Sequence, residues 1–204
     1  MLTTESLRFA IGRWAECMPR CADELNALDG DLGDGDLGAN LVRAAGRLEE
    51  AAPQLPADVG LALLRCAQAF TSVSASTYGT LLATGLMAAA RLTKGREAVP
   101  WSEISTLLDA ALRAMMQRGH GQLGDKTVLD AVEAARTATA GLDTPEALLA
   151  AARAAIAQAC DRLRDARPRQ GRARIFGDKG IGRDDPGIVA LLRLVECLQP
   201  AAAP

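Results

Sequence analysis

The chain has 204 residues, 23 Lys and Arg against 25 Asp and Glu, 49% apolar residues and only 3% aromatics. At roughly 150 residues per domain this is a single domain, residues 1–204, long enough to bury a core without disulfide staples. The near-neutral charge gives no general pull toward nucleic acid or acidic membranes, and a single histidine, His120, nearly excludes a His-based zinc site or a Ser-His-Asp triad built only from this chain.

The apolar periodicity is helical throughout, with no convincing alternating strand. A first helix is expected from about Thr4 to Met18, with Leu7, Ile11, Trp14 and Met18 inward. Its mixture of acid and base does not fit a secretory signal. The second follows a glycine-rich stretch, from about Gly38 to Glu50, burying Leu41, Val42, Ala45 and Leu48. Pro53 and Pro56 break the chain before a third helix capped by Asp58. Cys66 to Ala90 carries no charge over 25 residues, but its Ser/Thr-rich middle is too polar for a membrane span. Two buried helices joined by a turn fit better, the fourth running from about Gly79 to Leu92.

Ser102 is the expected cap of a fifth helix carrying Ile104, Leu107, Leu108, Ala111 and Met115. Asp125 is the expected cap of a sixth, through Val128, Leu129, Val132 and Ala135. Thr144-Pro145 and Asp185-Pro186 each place an N-cap before a proline at the first helical position, which starts a seventh and an eighth helix. The last carries Ile188, Leu191, Leu192, Val195 and Leu198. Eight helices with mostly short loops predict an all-α antiparallel bundle or barrel. The five cysteines are scattered, and only Cys17 and Cys21 are close, at i,i+4 spacing. With no second pair for a four-cysteine zinc site, reduced thiols in the cytoplasm are expected.

The most informative stretch is Asp29 to Asn40. It holds Asp29, Asp31, Asp34 and Asp36 among glycines at 30, 33, 35 and 38, with no Lys or Arg from Ala22 through Val42. Converged carboxylates call for a hard divalent cation. An EF-hand fails, because its twelfth position would be Asn40 where Glu is needed. Mg2+ fits, taking a few carboxylates and completing its shell with water and phosphate oxygens. The helix start behind the acids, with the N–H groups of Gly38, Ala39 and Asn40 expected free, suits a phosphate. The bland reading is a solvated acidic turn. Arg118 to Thr127 mimics a P-loop, but Asp125 intrudes before Lys126-Thr127 and a helix precedes it, leaving a glycine-rich helix connection. Arg162 to Arg183 holds seven arginines and Lys179 against Asp165 and Asp178. Such a run is ordinarily a solvated loop, and beside a metal–phosphate site it becomes a basic flap.

Taken together, the acidic loop, the run Gly124 to Ala131, and the Gly171-Arg172-Ala173, Gly180-Ile181-Gly182 and Asp185-Pro186-Gly187 elements resemble the DhaL family, the nucleotide-binding L subunits of dihydroxyacetone kinases. The resemblance covers essentially the whole chain. It implies an eight-helix barrel with ADP or ATP at one end and two Mg2+ ions on Asp29, Asp34 and Asp36, Asp31 not being a ligand. It also implies nucleotide contacts from Leu37, Gly38, Ala39, Asn40, Val73, Ser74, Gly119 and Val128, and from a lid containing Arg172, Asp184, Asp185 and Pro186. Two departures stand out: Leu37 replaces a histidine, and Thr71, Ser72 and Ala75 replace glycines around Ser74.

The activity implied is phosphoryl transfer to dihydroxyacetone held by a separate K subunit, with no catalytic side chain from this one. An end at Pro204 without a fused K domain favours the phosphotransferase-linked branch with a phosphocarrier M subunit. The alternatives are an ATP-dependent kinase for another triose or tetrose, and an interaction module partnering a transcriptional regulator.

Overall fold

The computed structural model describes residues 1–73 and 76–199, Val73 by its backbone alone. Along α1 (Thr4–Leu32), Thr4, Ile11, Met18, Leu25 and Leu32 are buried at seven-residue spacing, so one stripe faces the core from end to end. The helix runs well past its expected end at Met18, with Pro19 inside it. A mid-helix proline costs about 3 kcal/mol through a lost hydrogen bond and crowding of the preceding turn. Burial of Met18, Leu25 and Leu32 on both sides carries the helix through.

There follow α2 (Leu37–Ala51), α3 (Val59–Val73), α4 (Thr77–Thr93), α5 (Ile104–Gly119), α6 (Val128–Ala138), α7 (Pro145–Leu163), the one-turn α8 (Ala173–Phe176) and α9 (Pro186–Glu196). A two-residue ladder, β1 (Leu2–Thr3) antiparallel to β2 (Ala98–Val99), ties the N-terminus to the α4–α5 connection. It is too short to leave an alternating pattern in the sequence.

Asp58 Oδ1 accepts from the Leu61 N–H at 2.9 Å, and Thr144 and Asp185 cap α7 and α9 ahead of their prolines as expected. Two caps differ. Thr127 rather than Asp125 caps α6, in a reciprocal capping box with Asp130. Lys126, at φ 63°, turns the chain between them, and Asp125 Oδ2 instead accepts from the Gln122 N–H at 2.7 Å. Ser102 lies inside a 3-10 turn, Trp101–Glu103, and α5 starts at Ile104.

Each long helix packs on the next, and α9 packs on α7 and back on α1, closing a ring of eight with α8 in the final connection. Short connections make neighbours antiparallel, so the connections alternate between two ends. Residues 52–58, 94–103 and 139–144 lie at one end, where Thr4 Oγ1 donates to the Pro56 carbonyl at 2.7 Å and the Val59 N–H to that of Arg96 at 2.8 Å. Residues 33–36, 120–127 and 164–185 lie at the other, where the Arg169 N–H donates to the Asp125 carbonyl at 3.1 Å. Leu25, Leu48, Ala62, Ala131, Ile156 and Ile188, all but inaccessible to solvent, fill the interior.

Ring closure also corrects the expectation of five reduced cysteines. Cys17 on α1 and Cys197 at the end of α9, 180 residues apart in sequence, form a disulfide, leaving Cys21, Cys66 and Cys160 free. No described helix is long and apolar enough to cross a membrane.

Candidate functional site

Because α1 continues through Asp29, Gly30 and Asp31, only residues 33–36 connect it to α2. Gly35, at φ 75°, makes the reversal. It sets Asp29 on the last turn of α1, Asp34 in the connection and Asp36 just before α2, with one carboxylate oxygen of each within 4.8 Å of the others. Asp31 points elsewhere, into an ion pair with Arg183. Asp29 Oδ2 accepts from the N–H groups of Asp36 (3.0 Å) and Leu37 (3.3 Å). Burial pushes the Asp29 carboxyl above its usual range and Asp34 adds to this, against those N–H groups. Asp36 Oδ1 accepts from Asn40 Nδ2 at 2.7 Å.

Leu37, Gly38 and Asn40 are buried at the start of α2. A Cβ at Gly38 would run into the Ala22 backbone carbonyl, so α1 and α2 touch there through their backbones. This contact changes the expected set of free N–H groups. That of Ala39 donates to Asn26 Oδ1 at 3.1 Å, and that of Asn40 to the Asp36 carbonyl at 2.9 Å. Asn26, one turn before Asp29, is close enough to reach across.

The basic segment between α7 and α9 folds over this end. Arg172 forms an ion pair with Asp34, as Arg183 does with Asp31. The lid cations therefore offset the carboxylates that seemed uncompensated along the sequence. Arg164 holds Asp184 through two hydrogen bonds, 2.8 and 3.3 Å. Burial opposes ionisation of Asp184, but its hydrogen bonds from Arg164 and Cys160 keep the carboxyl below the usual range.

The anchor is Lys126, which sequence reasoning missed. Only 1% exposed, it donates from Nζ to the carbonyls of Arg164 (2.7 Å), Ala166 (3.0 Å) and Gly180 (2.8 Å), stapling both ends of the lid to the start of α6. Its burial lowers the ammonium pKa, against the attraction of Asp185, Asp184 and Asp165. The available signal was a lysine inside the Gly124 to Ala131 run, in a stretch set aside as a failed P-loop.

Asp185 Oδ1 accepts from the Ile188 N–H at 2.9 Å. Burial raises its carboxyl to about 7, against the Ile188 and Gly187 N–H groups and Lys126, with Asp130 adding to the rise. Beside it the Tyr78 hydroxyl is buried and, among the described residues, without a hydrogen-bond partner. Burial, and then the Asp185 charge, push its pKa up. Gly119 ends α5 against Leu81, and Val128, buried, begins α6 in a cluster with Leu112, Met115, Leu129, Tyr78 and Leu81. Pro186 is buried at the first position of α9. Arg172 thus meets the aspartates directly, while Gly119, Val128 and Asp184 to Pro186 share their end of the ring. Ser74, and the side chain of Val73, lie outside the described residues.

The DAK2 domain family model matches residues 31–199, a span that includes Asp34 and Asp36. The chain is 29% identical to the ADP-binding subunit DhaL of the PEP-dependent dihydroxyacetone kinase of Escherichia coli K12, over 91% of this chain and 94% of that one. It is 27% identical to the DhaL subunit of the PTS-dependent kinase of Lactococcus lactis over the full length of both. It is 31% identical to L-erythrulose 1-kinase of Mycolicibacterium smegmatis, over 87% of this chain but only 33% of that one. The dihydroxyacetone kinase of C. freundii in complex with AMP-PNP and Mg2+ superposes with a TM-score of 0.73 at 25% identity, over 94% of this chain and 33% of that one. With the eight-helix ring and the convergent aspartates in place, the match over most of its length establishes that this chain belongs to the DAK2 domain family, with the DhaL subunits.

Proposed function

We propose that this chain is the nucleotide- and Mg2+-binding L subunit of a dihydroxyacetone kinase, working in the cytoplasm on dihydroxyacetone held by a separate K subunit. The convergence of Asp29, Asp34 and Asp36 within 4.8 Å carries the reading. Three hard oxygen donors, Asp29 half-buried and Asp34 and Asp36 exposed, suit Mg2+, and the Arg172 guanidinium paired with Asp34 already places one cation there. The aspartates would hold two ions, which when bound neutralise phosphate charge and polarise the transferring group.

The remaining roles belong to the chain. The start of α2, Leu37 to Asn40, is assigned to the phosphates, together with Val73 and Ser74 on the family resemblance alone. Gly119, Val128, Asp184, Asp185 and Pro186 border the rest of the nucleotide. Arg172, paired with Asp34, would be free to hold a phosphate oxygen were that carboxylate engaged by a cation, since a guanidinium suits either partner. No side chain here is assigned as acid, base or nucleophile; the subunit positions and neutralises.

The full-length relatives named as ADP-binding subunits of PEP- and PTS-dependent kinases support ADP that stays bound and is rephosphorylated by a phosphocarrier M subunit. The similarity to an L-erythrulose 1-kinase supports a second reading, ATP as donor to a tetrose. Partnering a transcriptional regulator belongs to a third reading, an interaction module without phosphoryl transfer.

Calorimetric titration with ADP and ATP, with and without Mg2+, tests the site. Binding is expected to require the metal and to vanish in Asp34→Asn, whose helical circular dichroism stays intact. Binding indifferent to Mg2+, or unchanged by Asp34→Asn, refutes the assignment. Turnover with a K subunit on dihydroxyacetone against L-erythrulose separates the two readings.

A further inference from the structure

Midway along α1, away from the aspartates, three sulfurs come together. Cys17 and Cys21 lie one turn apart on α1 and Cys197 immediately follows α9, with all three Sγ atoms within 4.8 Å of one another. Two form the disulfide, and Cys21 is a free, half-buried thiol beside it. Its α1 members stand about 12 to 18 Å of helix from Asp29 and play no part in the site described above.

We propose that, with the disulfide reduced, Cys17, Cys21 and Cys197 form a binding site for a thiophilic d10 cation, zinc(II) or copper(I). Thiolates select such ions over Mg2+, and three of them complete a trigonal copper(I) site or a tetrahedral zinc site with water in the fourth position. The i,i+4 pair supplies two ligands from one rigid face, and the end of α9 supplies the third.

The arrangement does not depend on the S–S bond for its assembly. Trp14 Nε1 donates to the Leu194 carbonyl at 2.9 Å. Arg13 donates from Nε to the Cys197 carbonyl at 3.2 Å and from Nη2 to that of Gln199 at 3.1 Å. These bonds hold the last turn of α9 against α1 whether or not the sulfurs are joined. Burial raises the Cys21 thiol pKa, with Glu24 and Glu196 adding to it and Arg193 and Arg20 opposing, so it is the bound cation itself that draws off the proton.

The two states exclude each other. A dithiol or phosphine delivers two electrons to the S–S bond and yields two thiols, and the cation then displaces one proton from each of three thiols. A disulfide oxidant such as glutathione disulfide reverses this. The Cys17–Cys197 bond reforms, two glutathione thiols are produced, and the cation leaves.

The test uses the full chain, reduced with a phosphine under nitrogen, freed of reductant and held in excess Mg2+ to fill the carboxylates. Reactive thiols after unfolding rise from the three free cysteines of the oxidised form to all five. Titration with Cd2+ as probe is followed by thiolate-to-metal charge-transfer absorbance, and zinc(II) is measured by competition. One Cd2+ per chain is expected, shielding three thiols, with no band in the oxidised protein. Cys21→Ser, which keeps the disulfide pair, weakens binding by more than the roughly 10- to 100-fold that loss of a supporting hydrogen bond costs a metal site. Cys66→Ser and Cys160→Ser leave it unchanged. Circular dichroism checks each fold, and Cys21→Ala replaces Cys21→Ser if the latter loses helix. No band in the reduced protein, a band indifferent to either Cys21 variant, or the same band in the oxidised protein overturns the proposal.

Discussion

Replacing Asp185 by Asn probes the balance of burial and charge where α9 meets the lid. The folded protein raises this carboxyl from 3.8 to about 7, chiefly by burial, which corresponds to at most about 4 kcal/mol of penalty on the ionised form. Residual solvent at the half-buried group discounts that to about 1–2 kcal/mol. Asn caps a helix as well as Asp does, but gives up about 0.5 kcal/mol of attraction to the helix dipole. The net expectation at pH 8 is stabilisation by about 1 kcal/mol, a rise in Tm of about 2–4 °C.

The sign with pH follows from proton counting. Between about pH 4 and 7 the native state keeps a proton that the unfolded chain has released. Wild-type stability therefore carries a component that falls as pH rises through this window. Asp185→Asn removes it, so the difference between the two proteins grows from near zero at pH 4 to its full value above pH 7. Urea unfolding of both at pH 4, 5.5, 7 and 8, without nucleotide or metal, measures this. A variant less stable than wild type at pH 8, or a difference independent of pH, would show that Lys126 and the cap outweigh burial and that the reasoning is wrong.

Lys126→Met strips three carbonyls of their common donor. With the ammonium's own desolvation recovered, this costs about 2–4 kcal/mol, concentrated in the lid. Amide exchange over residues 164–184 is expected to accelerate and the urea midpoint to fall; unchanged exchange there would deny Lys126 its role as a staple. Gly38→Ala forces α1 and α2 apart at the Ala22 carbonyl and costs about 2–3 kcal/mol, with weaker Mg2+-dependent nucleotide binding as Asp36 moves. Gly46→Ala, on the same helix with open space around it, is the control and gains about 0.5–1 kcal/mol. Equal melting temperatures for the two variants would contradict the close approach.

The parts of the fold readable in sequence were those written in local contacts. Thr144-Pro145 and Asp185-Pro186 mark helix starts through hydrogen bonds spanning three residues, and the apolar stripe of α6 and most of that of α2 bury as their spacing implies. On α9, by contrast, the buried face is Ile188, Val189, Ala190 and Leu194, with Leu191, Leu192, Val195 and Leu198 only partly buried. Long-range packing decided the rest. Pro19 stays helical because ring neighbours bury Met18 and Leu25. Lys126 looked like one end of a failed phosphate loop, and its partners lie 38 to 54 residues further on. Cys17 and Cys197 meet only because α9 returns to α1. The site divides in the same way. The aspartates converge through glycines within the same loop and were legible, as was the basic flap; which of its arginines pairs with Asp31 and which with Asp34 depends on packing between distant parts of the chain.

That division bears on how the site would work. A cluster of carboxylates without an ion repels itself open unless something positive stands in. Here Arg172 and Arg183 do so from a lid that Lys126 pins independently of any ligand. Under the proposed assignment, a divalent cation arriving at Asp34 would displace a guanidinium, and part of its binding energy would go to breaking an exposed ion pair worth about 0–1 kcal/mol. That cost is small, and the displaced Arg172 is left beside the carboxylates with an unmatched charge, where a phosphate group would be its nearest alternative partner. Metal and nucleotide should therefore bind cooperatively through this one arginine. Arg172→Ala is expected to tighten binding of Mg2+ alone while weakening nucleotide binding in its presence, a split that an arginine serving only to hold the lid shut would not produce.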